Sequence, residues 1–210
     1  MTIRPTRPVQ PREPRGEPPL ALHDRAEADL AFVRATVERT AYFSAVPGVA
    51  GVLMGVSALV AAPLAAAQPS EERWLMVWLA EAAVAGTIGA VGIVRKARHR
   101  QVALDVGPAR RFALGLAPPI VAGAALTLAS VRADAWSLIP AVWLLCYGIA
   151  VLGAGAVSAT RVVPALGAAF LVAGLAAIAS PASWGDAYLA LAFGGGHAAA
   201  GVIIARDHGG

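Results

Sequence analysis

The sequence predicts an all-α, polytopic membrane protein built as a bundle of six transmembrane helices. Three observations predict it. Of 210 residues, 58% are hydrophobic and only 14% are charged, against about 25% charged in an ordinary soluble domain. The apolar residues collect in six runs of 18 to 21 residues. All 17 lysines and arginines fall outside those runs. One cysteine excludes a disulfide framework and argues against a cysteine-based zinc site. The net charge of +4 does not point to nucleic acid, because the basic residues interrupt apolar runs instead of lining one soluble face.

Residues 1–26 are expected to be a disordered Pro/Arg-rich cytoplasmic tail. Pro5, Pro8, Pro11 and Pro14 recur every third residue, with Pro18 and Pro19 behind them. Proline fixes φ and removes a backbone donor, so neither helix nor sheet ladder forms there. The PxxP spacing leaves two readings open, a docking motif and a solvated tail. No apolar core of a signal peptide occurs in the first 40 residues. Residues 27–43 read as an interfacial amphipathic helix, because Leu30, Val33, Val37 and Ala41 recur at helical spacing.

The transmembrane domain is expected over residues 44–210. Its spans are 46–66, 74–94, 112–131, 138–158, 163–180 and 187–205. At 1.5 Å per residue they are about 27–32 Å long, matching a hydrocarbon core of ~30 Å. Backbone groups in lipid must be satisfied within the segment, which selects helices. The period-2 alternation of barrel strands is missing. Pro118 and Pro119 in the third span and Pro140 in the fourth are expected to kink or interrupt their helices.

Orientation follows from the basic residues. With six spans, fifteen of them fall on the side of the two termini; only Arg73 and Arg132 fall on the other. The positive-inside rule then places both termini in the cytoplasm and the protein in the cell inner membrane. Trp74, Trp136 and Trp184 all fall at the opposite, outer boundary, the wet layer tryptophan prefers. Val46-Pro47 and Val163-Pro164 open the first and fifth spans, and each is followed by a Trp-bearing turn. That pattern suggests three tandem helical hairpins.

Four intramembrane polar residues are candidates for a binding layer: Glu81, His197, Tyr147 and Thr127. An ionised carboxylate at Glu81 costs about 2.5–3.5 kcal/mol in a span. It must therefore face other helices, accept hydrogen bonds or carry a proton. His197 sits among Gly194, Gly195, Gly196 and Gly201, which allow close approach of a helix or a ligand. Imidazole can relay protons, or it can bond one helix to another. Thr127 can bond a carbonyl one turn back in its own helix. Gly51 and Gly55 form a GxxxG, read as packing within the bundle ahead of a dimer face. In the loop 95–111, Arg95, Lys96, Arg98, Arg100, Arg110 and Arg111 are candidates for contact with anionic lipid headgroups.

RKARHR, PARRFALGLAPPI, PAVWLLCYG and FGGGHAAAGVIIAR resemble segments of a family of uncharacterised bacterial six-span membrane proteins. The resemblance covers most of residues 28–210. It implies the fold and the bacterial membrane location, and carries no activity or site residue with it.

Two functions remain open on the sequence. One is a small transporter-like or ligand- and proton-sensing protein using the polar layer. The other is a structural or accessory subunit whose polar groups join helix to helix. No nucleotide-binding, HExxH, GxSxG or CxxC motif supports an enzyme. No cofactor or metal is called for. The expected partners are the bilayer with its anionic headgroups and another membrane protein or a second copy, with no nucleic acid.

Overall fold

The computed structural model describes residues 24–33, 42–101, 104 and 107–208. The chain divides into two units, one ending at Thr40 and one beginning at Ala41. In the first, residues 24–33 form a helix, α1, whose described side chains are all exposed. Residues 1–23 of the tail expected over 1–26, and residues 34–41, lie outside the described residues; residues 24–26, expected in the tail, are helical. Of the helix expected over 27–43, residues 27–33 are helical, and Phe43 is not. Phe43 is extended: its N–H donates to Val157 O at 2.7 Å, and its carbonyl accepts from Ala159 N at 3.0 Å. Its bridge to Ser158 is the one β contact among the described residues.

The second unit is helical. Its elements are α2 (Gly48–Ala66), α3 (Glu71–Arg100), α4 (Gly107–Arg132), α5 (Ile139–Gly155), α6 (Val162–Ile178), α7 (Gly185–Leu189) and α8 (His197–His208). A 3₁₀ turn at Trp136–Leu138 opens α5, and a second at Ala182–Trp184 opens α7. A π-helical segment, Ala190–Gly196, joins α7 to α8. Five stretches are long and apolar enough to cross a membrane: Gly48–Ala66, Glu71–Arg100, Gly107–Arg132, Trp136–Gly155 and Ala182–Asp207. Helix α6 is apolar but shorter, with 17 residues. The chain is a multi-pass membrane protein.

The distribution of side-chain size agrees with lipid as the solvent. Among the described residues, thirteen of the twenty-two buried hydrophobics are alanines, while Val49, Leu53, Val56, Leu59, Val60 and Leu64 of α2 point outward. Lipid tails are as apolar as leucine, so large residues gain little by turning inward. Helices associate instead through small residues that let backbones approach. Gly55 shows the effect: a Cβ there would lie 2.5 Å from Ala198 N and Gly194 O. On α8, a Cβ at Gly201 would lie 2.5 Å from Val52 N. The GxxxG of α2 is therefore spent inside the bundle, on α8.

Helix α5 packs most extensively against α6 and α4, and α2 against α8 and α3. The first two hairpins expected from the sequence pack as pairs, α2 with α3 and α4 with α5. In the third, α6 also touches α7, the π segment and α8, but it lies chiefly on α5, and α8 lies chiefly on α2.

Several boundaries differ from the sequence reading. Helix α4 runs unbroken through Pro118 and Pro119, as spans tolerate when neighbouring groups re-satisfy the freed carbonyls. Pro140 sits in the first turn of α5, where its missing N–H costs nothing. The loop expected at 95–111 shrinks from both sides. Helix α3 continues to Arg100 and ends on Gln101 at φ 52°, and α4 starts at Gly107. Arginine and lysine are good helix formers, and their charges favour a helix C-terminus.

Candidate functional site

Tyr147 and His197 form the best-defined polar pair of the bundle. Tyr147 lies on α5, and His197 is the first residue of α8, directly after the π segment. The His197 Nδ1 lies 2.9 Å from Phe193 O. A carbonyl only accepts, so Nδ1 carries the proton and donates. In the neutral ring Nε2 is then an acceptor, and Tyr147 O–H donates to it at 2.8 Å. Neither nitrogen of that ring keeps a lone pair for a metal. Among the described residues, no group of three or more His, Cys, Asp or Glu gathers elsewhere.

The pair is walled by rings from two other elements, α6 and the π segment. Phe170 of α6, fully buried, lies 4.8 Å from the Tyr147 ring and 4.7 Å from Phe193. Phe193 stacks nearly parallel to His197, at 6.0 Å and 5°. Tilted and edge contacts of this kind add about 0.5–1.5 kcal/mol each beyond area burial. The Tyr–His hydrogen bond thus joins α5 to α8 in a dry setting, where its alternative is two unsatisfied groups.

The other two candidates of the layer sit in pairs of their own. Glu81 Oε1 is 2.8 Å from Ser57 Oγ, linking α3 to α2. Ser57 Oγ is also 2.9 Å from Met54 O. One hydroxyl proton serves one of these acceptors at a time. Both contacts form together when Glu81 carries a proton and donates to Oγ, leaving Ser57 to donate to Met54. Thr127 donates to Gly123 O at 2.7 Å within α4 and accepts from Trp143 Nε1 of α5 at 2.7 Å. The structure therefore brings Tyr147 and His197 together, and places Glu81 and Thr127 in separate helix-to-helix bonds.

A second cluster was not singled out from the sequence. Asp186, the second residue of α7, accepts from the indoles of Trp74 at 2.7 Å and Trp78 at 2.9 Å. Trp74 in turn stacks on Trp143 at 5.8 Å and 9°. Asp186, Trp74, Trp143 and Thr127 thus run as one chain of contacts across α7, α3, α5 and α4. The available signal was the four-residue spacing of Trp74 and Trp78, which puts both indoles on one helix face. Their partner lies more than a hundred residues away, beyond local reasoning.

The basic candidates ride on helix ends. Arg95, Lys96, Arg98 and Arg100 end α3, and Arg110 and Arg111 open α4. Lys96 turns inward: it is 6% exposed, and its Nζ donates to Val46 O at 2.9 Å.

Two cavities lie near this end. One, of about 410 Å³, is lined by residues including Phe43, Arg100, Thr160 and Asp207. The other, of about 460 Å³, is a groove between α2 and α3. Neither is lined by Glu81, Thr127, Tyr147 or His197. No protein-family model matches the chain, and no curated protein or solved structure matches it.

Proposed function

We propose that this chain is a six-span bacterial inner-membrane protein, with both termini cytoplasmic, that serves as a structural or accessory subunit and does not conduct a substrate through its core. The observation that carries the reading is the pairing of its intramembrane polar side chains. Glu81 with Ser57, Thr127 with Trp143 and Tyr147 with His197 each join two helices. A transport pathway needs polar groups converging on a cavity, and the cavities described are lined by other residues. Helix α6 supplies the sixth crossing at about 25 Å. The basic ends of α3 and α4 supply the cytoplasmic orientation and the contact with anionic headgroups.

The test is proton flux in proteoliposomes of the parent, Glu81→Gln and His197→Ala. No flux above empty vesicles is expected from any of the three. Parent flux abolished by either substitution overturns the reading in favour of transport. Reporter fusions at Gln68 and Gln101 test orientation, with Gln68 expected outside and Gln101 inside; the reverse sinks it.

A sensing role is the second reading, favoured by the π segment before His197. Single-turn π segments recur at functional sites because they re-aim a side chain at a cost in helix regularity. A ligand-induced change in Tyr147 absorbance or fluorescence that His197→Ala abolishes would select this reading.

A further inference from the structure

We infer that the groove between the start of α2 and the end of α3 binds an anionic phospholipid of the surrounding bilayer. One acyl chain lies along its apolar wall, and the phosphate sits at its basic end. The inference rests on the proposed passage of α3 through the membrane.

The groove has a volume of about 460 Å³, within the ~300–1,000 Å³ of small-ligand sites. Its lining is ordered along the helix axis. The apolar part comprises Pro47, the N-cap of α2, and Val49 and Leu53 of α2, with Ile88 and Val91 of α3. The basic part follows on α3 as Arg95, Lys96, His99 and Arg100. Ile88, Gly92, Arg95 and His99 recur at four- and three-residue spacing, so they form one stripe of the helix. From Thr87 to His99 the stripe is about 18 Å long.

That order is the order of a phospholipid, apolar first and phosphate last, in the direction from bilayer interior to headgroup layer. Val49, Leu53 and Val91 are each about half exposed, at 54%, 52% and 45%. The apolar wall is therefore open sideways to the bilayer, the route by which a lipid enters and a soluble anion does not. The floor is closed at Gly92, where a Cβ would lie 2.8 Å from Pro47 Cγ.

Charge selects the headgroup. The carbonyl end of α3 is the negative end of its dipole and repels an anion. The attraction must come from side chains, and three cationic residues, Arg95, Lys96 and Arg100, line that end. Lys96 is fixed in place by its bond to Val46 O. A zwitterionic headgroup would bring its own cation to the same basic end, so a lipid with net negative charge is preferred.

The experiment is native mass spectrometry of the full chain in neutral detergent, titrated with phosphatidylglycerol or with phosphatidylcholine. Phosphatidylglycerol is expected to bind at least about fivefold more tightly. Arg95→Gln is expected to weaken it about fivefold, the effect of one basic group worth about 1 kcal/mol at the headgroup layer. Arg161→Gln, the same charge change at the exposed N-cap of α6 outside the groove lining, leaves binding unchanged. Val91→Trp fills the apolar wall and weakens both lipids. Arg95 is exposed, so its variant reads out even if Val91→Trp fails to fold. Equal binding of the two lipids, or equal losses in Arg95→Gln and Arg161→Gln, overturns the inference. Competition by glycerol phosphate at equal concentration also overturns it, by assigning the basic end to a free phosphate. None of these readouts requires or excludes transport, so failure here is separable from failure of the proposed function.

Discussion

Gly55 of α2 and Ala198 of α8 are in backbone contact: a Cβ built on Gly55 would stand 2.5 Å from the amide nitrogen of Ala198. Helix meets helix there with no side chain between them. The first prediction follows. Gly55→Val is expected to destabilise the bundle by about 1–3 kcal/mol, the usual cost of overpacking. Gly86→Val, at a position with nothing within 4 Å, should cost far less. Thermal unfolding in detergent compares the two, and equal shifts would refute the α2–α8 contact.

The Tyr147–His197 bond should appear as coupling between the two positions. Tyr147→Phe keeps the ring among Phe170 and Phe193 and removes only the donor to Nε2. A double-mutant cycle with His197→Phe is expected to give about 0.6–1.7 kcal/mol, the range for hydrogen bonds between spans. A coupling energy of zero in that cycle would show that the bond contributes nothing to the fold.

Glu81 and Ser57 make a prediction about chemistry as well as strength. A glutamine amide can donate to Ser57 Oγ as a protonated carboxyl does, so Glu81→Gln is expected to leave stability within about 0.5 kcal/mol. Ser57→Ala strands the carboxyl between α2 and α3 and should cost about 1–3 kcal/mol. Chemical unfolding of both variants is the measurement. A large loss in Glu81→Gln with none in Ser57→Ala would assign Glu81 a charged role.

Asp186 holds two indoles with one oxygen. Asp186→Ala removes the acceptor of Trp74 and Trp78 together, so tryptophan emission should change more than in Asp134→Ala, which frees only Trp136. The Asp186→Ala change is expected to shrink by about half in a Trp78→Phe background, as one of two donors is already gone. No emission change in Asp186→Ala would remove the clamp from the account.

Residue counting was enough to find the apolar helices, because lipid imposes a length and a composition that sequence displays directly. It could not choose their partners. Gly51 and Gly55 announced a close contact, but Gly194, Gly201 and Gly92 announced the same with equal strength, and only the folded chain sorts α8 from α3. Arg95 to Arg111 looked like a loop because charge interrupts hydropathy; helix propensity continued underneath it. Of the four polar candidates, only Tyr147 and His197 were brought together. Residue type and place within an apolar run are visible in the sequence, while facing is a property of how helices rotate against one another. Asp186 shows nothing distinctive in the sequence, because its meaning lies in Trp74 and Trp78, a hundred residues earlier.

The contact between α2 and α8 also has a consequence in time. At about 5–20 residues per second, synthesis reaches Ala198 on the order of ten seconds after Gly55. Until then the glycine face of α2 is without the surface it fits, and only the α3 side of its packing is available. The first helix of the bundle is therefore settled by one of the last, and a ribosome that stalls after α6 leaves α2 with its glycine seam still open.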